Sequence, residues 1–183
     1  SRPQLLFDTL KAMKTERFYV YLTTNGWYMT KEIAQTLADL GVNRVSVSID
    51  SMDSETHDRF RGRKGSWERA IKALEMVQEV GISPYLNITV GRYNAQSEDV
   101  KLLLDFSKQK KYTTLLNVAT PGGMWAKMTD IMVNEEDKAY LINMRKKYKN
   151  ILRNLWNPFD REREGVLGCN TVNRLYITPA GDV

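Results

Sequence analysis

Four oxygen-bearing side chains, Ser48, Asp50, Ser51 and Asp53, crowd the end of NRVSVSIDSMD, whose Val45, Val47 and Ile49 alternate like the core side of a strand. Hydroxyls and carboxylates at the mouth of a strand are donors and acceptors for a ligand, which makes this stretch the first candidate for a binding site. Three other stretches end in the same way: Thr23, Thr24, Asn25 and Gly26 in YLTTNG, Thr89, Arg92 and Asn94 in NITVGRYN, and Thr120 ahead of the Gly-rich PGGMW. Polar loops and Asn-Gly turns are common, so residue type alone does not separate a shared site from ordinary loop chemistry. A kinase, a dehydrogenase or a covalent hydrolase finds no support, since the chain has no Walker loop, no G-x-G-x-x-G run and no Ser/His/Asp or Cys/His set. The glycines of RGRKGS follow no strand, which speaks against a phosphate loop. His57 is the single histidine; without a second His or Cys nearby it is expected at the surface or a helix start and not on a metal. Cys169, the single cysteine, excludes an intramolecular disulfide and leaves a metal site within this chain short of thiolates.

Alternating helix and strand patterns must position these groups. Helices are expected at about 3–13, with Leu5, Leu6, Leu10 and Met13 at helical spacing, and in TKEIAQTLADLG, with Thr30 as N-cap and Gly41 as stop. Others are expected in GSWERAIKALEMVQEVG, with Ser66 ahead of the helix and Ile71, Leu74 and Val77 as its stripe, in EDVKLLLDFSKQK, and at about 135–149. Strands are expected in RFYVYLTT, in the opening stretch, in SPYLNITV and in TTLLNVAT. Four strands alternating with helices imply an α/β fold of parallel βα units with right-handed crossovers. Working residues in such sheets sit just past the carboxyl ends of the strands, so the polar ends are expected to share one rim.

With 183 residues, 42% hydrophobic and 27% charged, the chain suits one globular domain with a sizeable core. No apolar run is long enough to span a bilayer and the start has no apolar signal core, which reads as cytoplasmic. A net charge of +5 is modest for a nucleic-acid binder, and the runs KQKK and RKKYK fall late in helices, where they suit solvated faces. Met124, Trp125 and Met128 are expected to pack. The chain begins with Ser and closes on LYITPAGDV, a strand and turn without a return strand, so a piece of a longer protein is expected.

Taken in order, YLTTNGWYMT, VSVSIDSMDSETHDRFRGRKGSWERAIKAL, NITVGRYN and GCNTVNRLYITPAGDV resemble a radical SAM enzyme of the subgroup with a C-terminal SPASM extension. The resemblance implies a partial (β/α)6 TIM-like barrel and a [4Fe-4S] cluster on a Cys-x-x-x-Cys-x-x-Cys loop. There S-adenosylmethionine (SAM) is reductively cleaved to a 5′-deoxyadenosyl radical that takes hydrogen from a substrate. This chain carries neither the three-cysteine loop nor the Gly-Gly-Glu segment of the family. By the resemblance, residues 1–150 would be barrel strands of about the third to the sixth, and 151–183 a linker and the opening of the extension. Cys169 precedes Gly181 by twelve positions, as the first ligand of an auxiliary iron-sulfur cluster would.

The resemblance sets Ser48 and Asp50 beside the ribose and methionine parts of SAM. A hydroxyl and a carboxylate can hold a diol and an ammonium, and a spacing of two gives both side chains one face, here the barrel interior. Val45, Val47 and Ile49 would then face the helices. Arg61 matches the arginine that meets the methionine carboxylate, with Arg59 and Arg63 as alternatives. Thr24 and Asn25 would lie near the same pocket, and Thr89 and Asn94 near adenine or substrate. The implied substrate is a peptide or protein, for which the net charge of +5 would suit an acidic leader, and the implied electron donor a flavodoxin or ferredoxin; this segment by itself would be inactive. The competing class is a non-enzymatic α/β module that uses the same rim for a nucleotide or anion; an RNA-binding domain is a weaker third.

Overall fold

The computed structural model describes residues 3–121 and 125–153. After helix α1 (Pro3–Ala12), strands and helices alternate as β1 (Val20–Thr24), α2 (Lys31–Asp39), β2 (Val42–Ser48), α3 (Ser54–Arg61), α4 (Ser66–Glu79), β3 (Ser83–Val90), α5 (Glu98–Lys110), β4 (Thr113–Val118), α6 (Glu135–Lys147) and β5 (Leu152–Arg153). The strands form one sheet in chain order, every neighbouring pair parallel. This is the expected α/β architecture of a partial barrel.

The sheet's two faces differ in chemistry. Val45, Val47, Ile49, Leu86, Ile88 and Val90 are wholly buried in one core with Ala70, Ala73, Leu74 and Val77 of α4 and Val100, Leu103 and Leu104 of α5. Period two in the strands and period 3.6 in the helices bring these sets together. Residues that pair across a parallel ladder share a face, so the register Tyr21↔Arg44, Ser46↔Tyr85, Ser48↔Asn87 and Thr89↔Asn117 defines a second, polar face. At its amino end the Arg44 guanidinium lies 4.0 Å from the Tyr21 ring centre and 4.4 Å from that of Tyr85. Toward its carboxyl end Asn117 Nδ2 donates to Asn87 Oδ1. Val45, Val47 and Ile49 thus face the helices as expected, with Ser48 on the opposite face.

Three elements depart from the expected pattern. Helix α3 is an unanticipated element between β2 and α4, and β5 adds a two-residue strand beside β4. Ser66 is the first residue of α4 instead of preceding it; Asp58 of α3 caps that end, accepting from the Gly65 N–H, Ser66 Oγ–H and Trp67 N–H. Met128 is 43% exposed instead of packed, while Met124 lies outside the described residues.

The β1–α2 turn rests directly on α4. Gly26, at φ +77°, would bring an added Cβ to 3.0 Å from Ala70 Cα and Ala73 Cβ. Arg69 of α4 donates to the Trp27 carbonyl at 3.1 Å, and Arg63 stacks over the Trp27 ring at 3.3 Å. Gly26→Ala combines a positive φ with a backbone clash, and is expected to destabilise the full-length protein by about 2 kcal/mol, read as a lower urea midpoint at unchanged slope.

Candidate functional site

The four oxygens of the SIDSMD stretch divide into two jobs. Ser51 Oγ accepts from the Asp53 N–H at 2.9 Å, and Asp53 Oδ1 accepts from the Thr56 N–H at 2.8 Å, which caps the start of α3. Gly62, in the left-handed conformation, ends that helix after two turns. Between these stops His57 and Arg61, four apart, share one face of α3 and reach back to Asp50.

Asp50 is the centre of the arrangement. It is 7% exposed, and its Oδ2 accepts from Arg61 Nε at 2.6 Å. Its Oδ1 is buried without a hydrogen-bond partner. Burial pushes the Asp50 carboxyl above its ordinary value, against the opposing pull of Arg61, through its charge and its hydrogen bond, and of the Thr89 main chain. His57, expected at the surface, is 1% exposed; its helix-start position is as expected, but its ring turns inward. His57 Nδ1 accepts from the Asp50 N–H at 3.2 Å, so the neutral ring carries its proton on Nε2. Burial, reinforced by the Arg61 charge, lowers the His57 pKa from 6.5 to about 4.

The three candidate arginines part company. Arg59 is exposed and turned to Thr56 Oγ1 at 3.4 Å, Arg63 is stacked on Trp27, and only Arg61 faces Asp50. Ser48 is half-buried on the polar face, beside Asn87 in register. Thr24 pairs with Val47 and so lies on the helix side of β1, its Oγ1 accepting from the Gly26 N–H; Thr23 is the residue on the face of Ser48. Asn25 is exposed and accepts from the Trp27 N–H. Thr89 is on the polar face in register with Asn117, whereas the Asn94 amide ties down its own loop, accepting from the Gly91 N–H and donating to the Thr89 carbonyl. Cys169 lies outside the described residues.

Several neighbours were not singled out from the sequence. Asn87 and Asn117 interrupt otherwise apolar strands at positions in phase with Thr89 and Ser48, a signal that period-two counting across strands exposes. Phe60 and Tyr93, also not singled out, meet each other and the half-buried Trp125, which packs as expected but on these two rings, at ring-centre distances of 5.9, 6.0 and 6.2 Å. The Arg61 guanidinium lies 5.8 Å from the Phe60 ring centre.

A cationic fork beside a buried carboxylate, at the carboxyl ends of parallel strands, is a place for a small ligand with acidic and hydroxyl or amine groups. The family model of the Radical SAM superfamily matches residues 1–106, more than half of the chain. The chain belongs to the radical SAM superfamily. It is 38% identical over 90 residues to an AdoMet-dependent heme synthase of Methanosarcina barkeri, covering 49% of this chain and 25% of that one. To a GTP 3',8-cyclase of Nautilia profundicola it is 31% identical over 182 residues, covering 87% of this chain and 52% of that one. The chain therefore spans a quarter to a half of these two relatives. The fold is shared with a domain of pyruvate-formate lyase-activating enzyme from Bacteroides vulgatus, with a TM-score of 0.65 at 19% identity over 84% of this chain and 91% of that one. It is also shared with Streptococcus suis SuiB bound to S-adenosylmethionine, with a TM-score of 0.60 at 17% identity over 81% of this chain and 35% of that one.

The buried imidazole makes a pH prediction. Between pH 6.5 and about 4 the unfolded chain binds a proton at His57 that the native state refuses, so stability falls as pH drops through that window and levels off below it. Asp50, whose carboxyl is raised, works in the opposite sense nearer the carboxylate range. For the full-length protein, going from pH 7 to 5 should remove about 2 kcal/mol through this group, seen in urea midpoints, and His57→Gln should lose most of that dependence.

Proposed function

We propose that the whole protein cleaves SAM reductively and uses the resulting radical to take hydrogen from a substrate, with this chain supplying barrel strands that hold the cofactor. The observation that carries this reading is the buried Asp50 Oδ1, which has no hydrogen bond of ordinary geometry although the Thr89 main chain is close enough to act on the carboxyl, next to an Arg61 whose Nε is already engaged. That pair fits the zwitterionic end of SAM: Arg61 would meet the methionine carboxylate through its Nη groups. Asp50 Oδ1 and Ser48 would take the amine or a ribose hydroxyl. Bound at a [4Fe-4S] cluster whose ligands lie elsewhere in the protein, SAM supplies a 5′-deoxyadenosyl radical.

The residues here would bind, orient and keep dry. Asp50 holds the Arg61 fork in one orientation, and the His57 ring holds the Asp50 main chain. Neither acts as an acid or base, which suits hydrogen abstraction, where positioning and exclusion of water matter most. Residues 151–183 would be a linker and the opening of an extension, with Cys169 a ligand to an auxiliary cluster.

For the substrate, the sequence relatives favour a precursor in haem or cofactor synthesis: those at 34% and 38% identity are an Fe-coproporphyrin III synthase and an AdoMet-dependent heme synthase of Methanosarcina barkeri. A peptide or protein is the second reading, favoured by the Cys169-to-Gly181 spacing. A flavodoxin or ferredoxin would deliver the electron, in the cytoplasm.

Anaerobically reconstituted full-length protein, reduced with SAM, is expected to release 5′-deoxyadenosine; no cleavage at all overturns the reading. Arg61→Met and Asp50→Asn should each weaken SAM binding at least tenfold, the scale of a lost charge-assisted contact of about 1.5–3 kcal/mol. Arg59→Met, from the exposed flank of α3, should leave that affinity unchanged.

A further inference from the structure

Phe60, Tyr93 and Trp125 come from three different segments: the end of α3, the loop after β3 and the stretch after β4. All three lie at the carboxyl rim, and none belongs to the hydrophobic core or to the shell packed on it. Phe60 is 41% and Tyr93 47% exposed and Trp125 is half-buried, so the fold brings the rings together and leaves two of them largely in water. Phe60 and Tyr93 lie within 26° of parallel, with Trp125 at 60° and 65° to them, making a ledge with an upright side. Asp50, on which the cofactor reading rests, is 7% exposed, so the rings form the outer part of the same mouth. The Arg61 charge beside Phe60 is matched by Asp50, and Lys127 and Asp130 beyond Trp125 offset each other, which leaves the exposed Arg92 next to Tyr93 as a cation at the ledge.

We infer that this ledge is a stacking platform for the flat face of an aromatic, carboxylate- or phosphate-bearing substrate. Exposed rings hold a flat ligand by stacking, whatever the pattern of polar groups at its edge. Arg92, which the cofactor reading does not use, matches an acidic group at the ligand's edge. A ledge of three rings has little to offer an extended polypeptide main chain, whose hydrogen bonds need paired donors and acceptors. The inference rests on the radical SAM reading for its substrate, and its test is separable from that reading.

The probe is coproporphyrin III, a flat tetracarboxylate, titrated into the full-length holoenzyme loaded with SAM and followed by its absorbance. Saturable binding is expected, weakened at least tenfold by Phe60→Ala together with Tyr93→Ala and severalfold by Arg92→Glu, with SAM affinity held within twofold. Tyr93→Phe, which keeps the ring, should bind like the wild type. Phe60→Leu, which keeps apolar bulk without the ring, should weaken the probe in a protein of unchanged unfolding midpoint. Lack of binding by the wild type, or equal binding by the ring-deleted variants, overturns the inference. SAM affinity falling in step with probe affinity also overturns it, since the rings would then serve the cofactor's adenine. A wild type that binds the probe yet releases no 5′-deoxyadenosine instead defeats the reading beneath it.

Discussion

A carboxylate shielded from water needs a partner, and the arrangement of this rim follows from the need of Asp50 for one. The partner, Arg61, arrives on α3, a two-turn helix set by Asp53 at its start and Gly62 at its end. One residue fewer between those stops would swing Arg61 round by about a third of a turn, away from the carboxylate. His57, a turn earlier on the same face, closes the triangle by accepting the Asp50 N–H. A buried ring that stays neutral adds no second positive charge beside Arg61, and among the described residues the guanidinium is the cation that Asp50 meets there.

The sheet separates stability from chemistry by parity. One face carries Val45, Val47, Ile49, Leu86 and Ile88 into the helices, and burying each such side chain contributes about 1.5–3 kcal/mol. The other carries Arg44, Ser46, Ser48, Asn87, Thr89 and Asn117. A shift of one residue in register would exchange the two sets, so the packing that stabilises the fold also specifies which side chains face inward.

Much of the framework was legible because its signals are local. β3 and α5 carry uninterrupted periods of two and 3.6, and their observed limits coincide with the patterned stretches SPYLNITV and EDVKLLLDFSKQK. Helix α3 was not legible: SETHDRFR is almost wholly polar, and its buried contact is a histidine that reads as surface among charged neighbours. The Asp58 cap of α4 escaped notice because it comes from the preceding helix, while Ser66 beside the helix start looked sufficient. The choice among Arg59, Arg61 and Arg63 needed the helix phase, since two residues on a helix turn a side chain to the opposite side. Thr23 and Thr24 exchanged places for a similar reason: the register shifts between Val20 and Tyr21, and type alone does not say which of two adjacent threonines shares the face of Ser48.

The contact at Gly26 has a mechanical meaning. Where long side chains separate two elements, rotamer changes let them slide; here the backbone of the β1–α2 turn meets Ala70 Cα, the Arg69 carbonyl and the Ala73 methyl of α4, none of which has a rotamer to change. The spacing is then set by atomic radii alone, with Arg69 holding the Trp27 carbonyl from the same helix. The end of the first strand and the helix behind the second move as one body, and Thr23 keeps its distance from Ser48 without any contact between the two side chains having to enforce it.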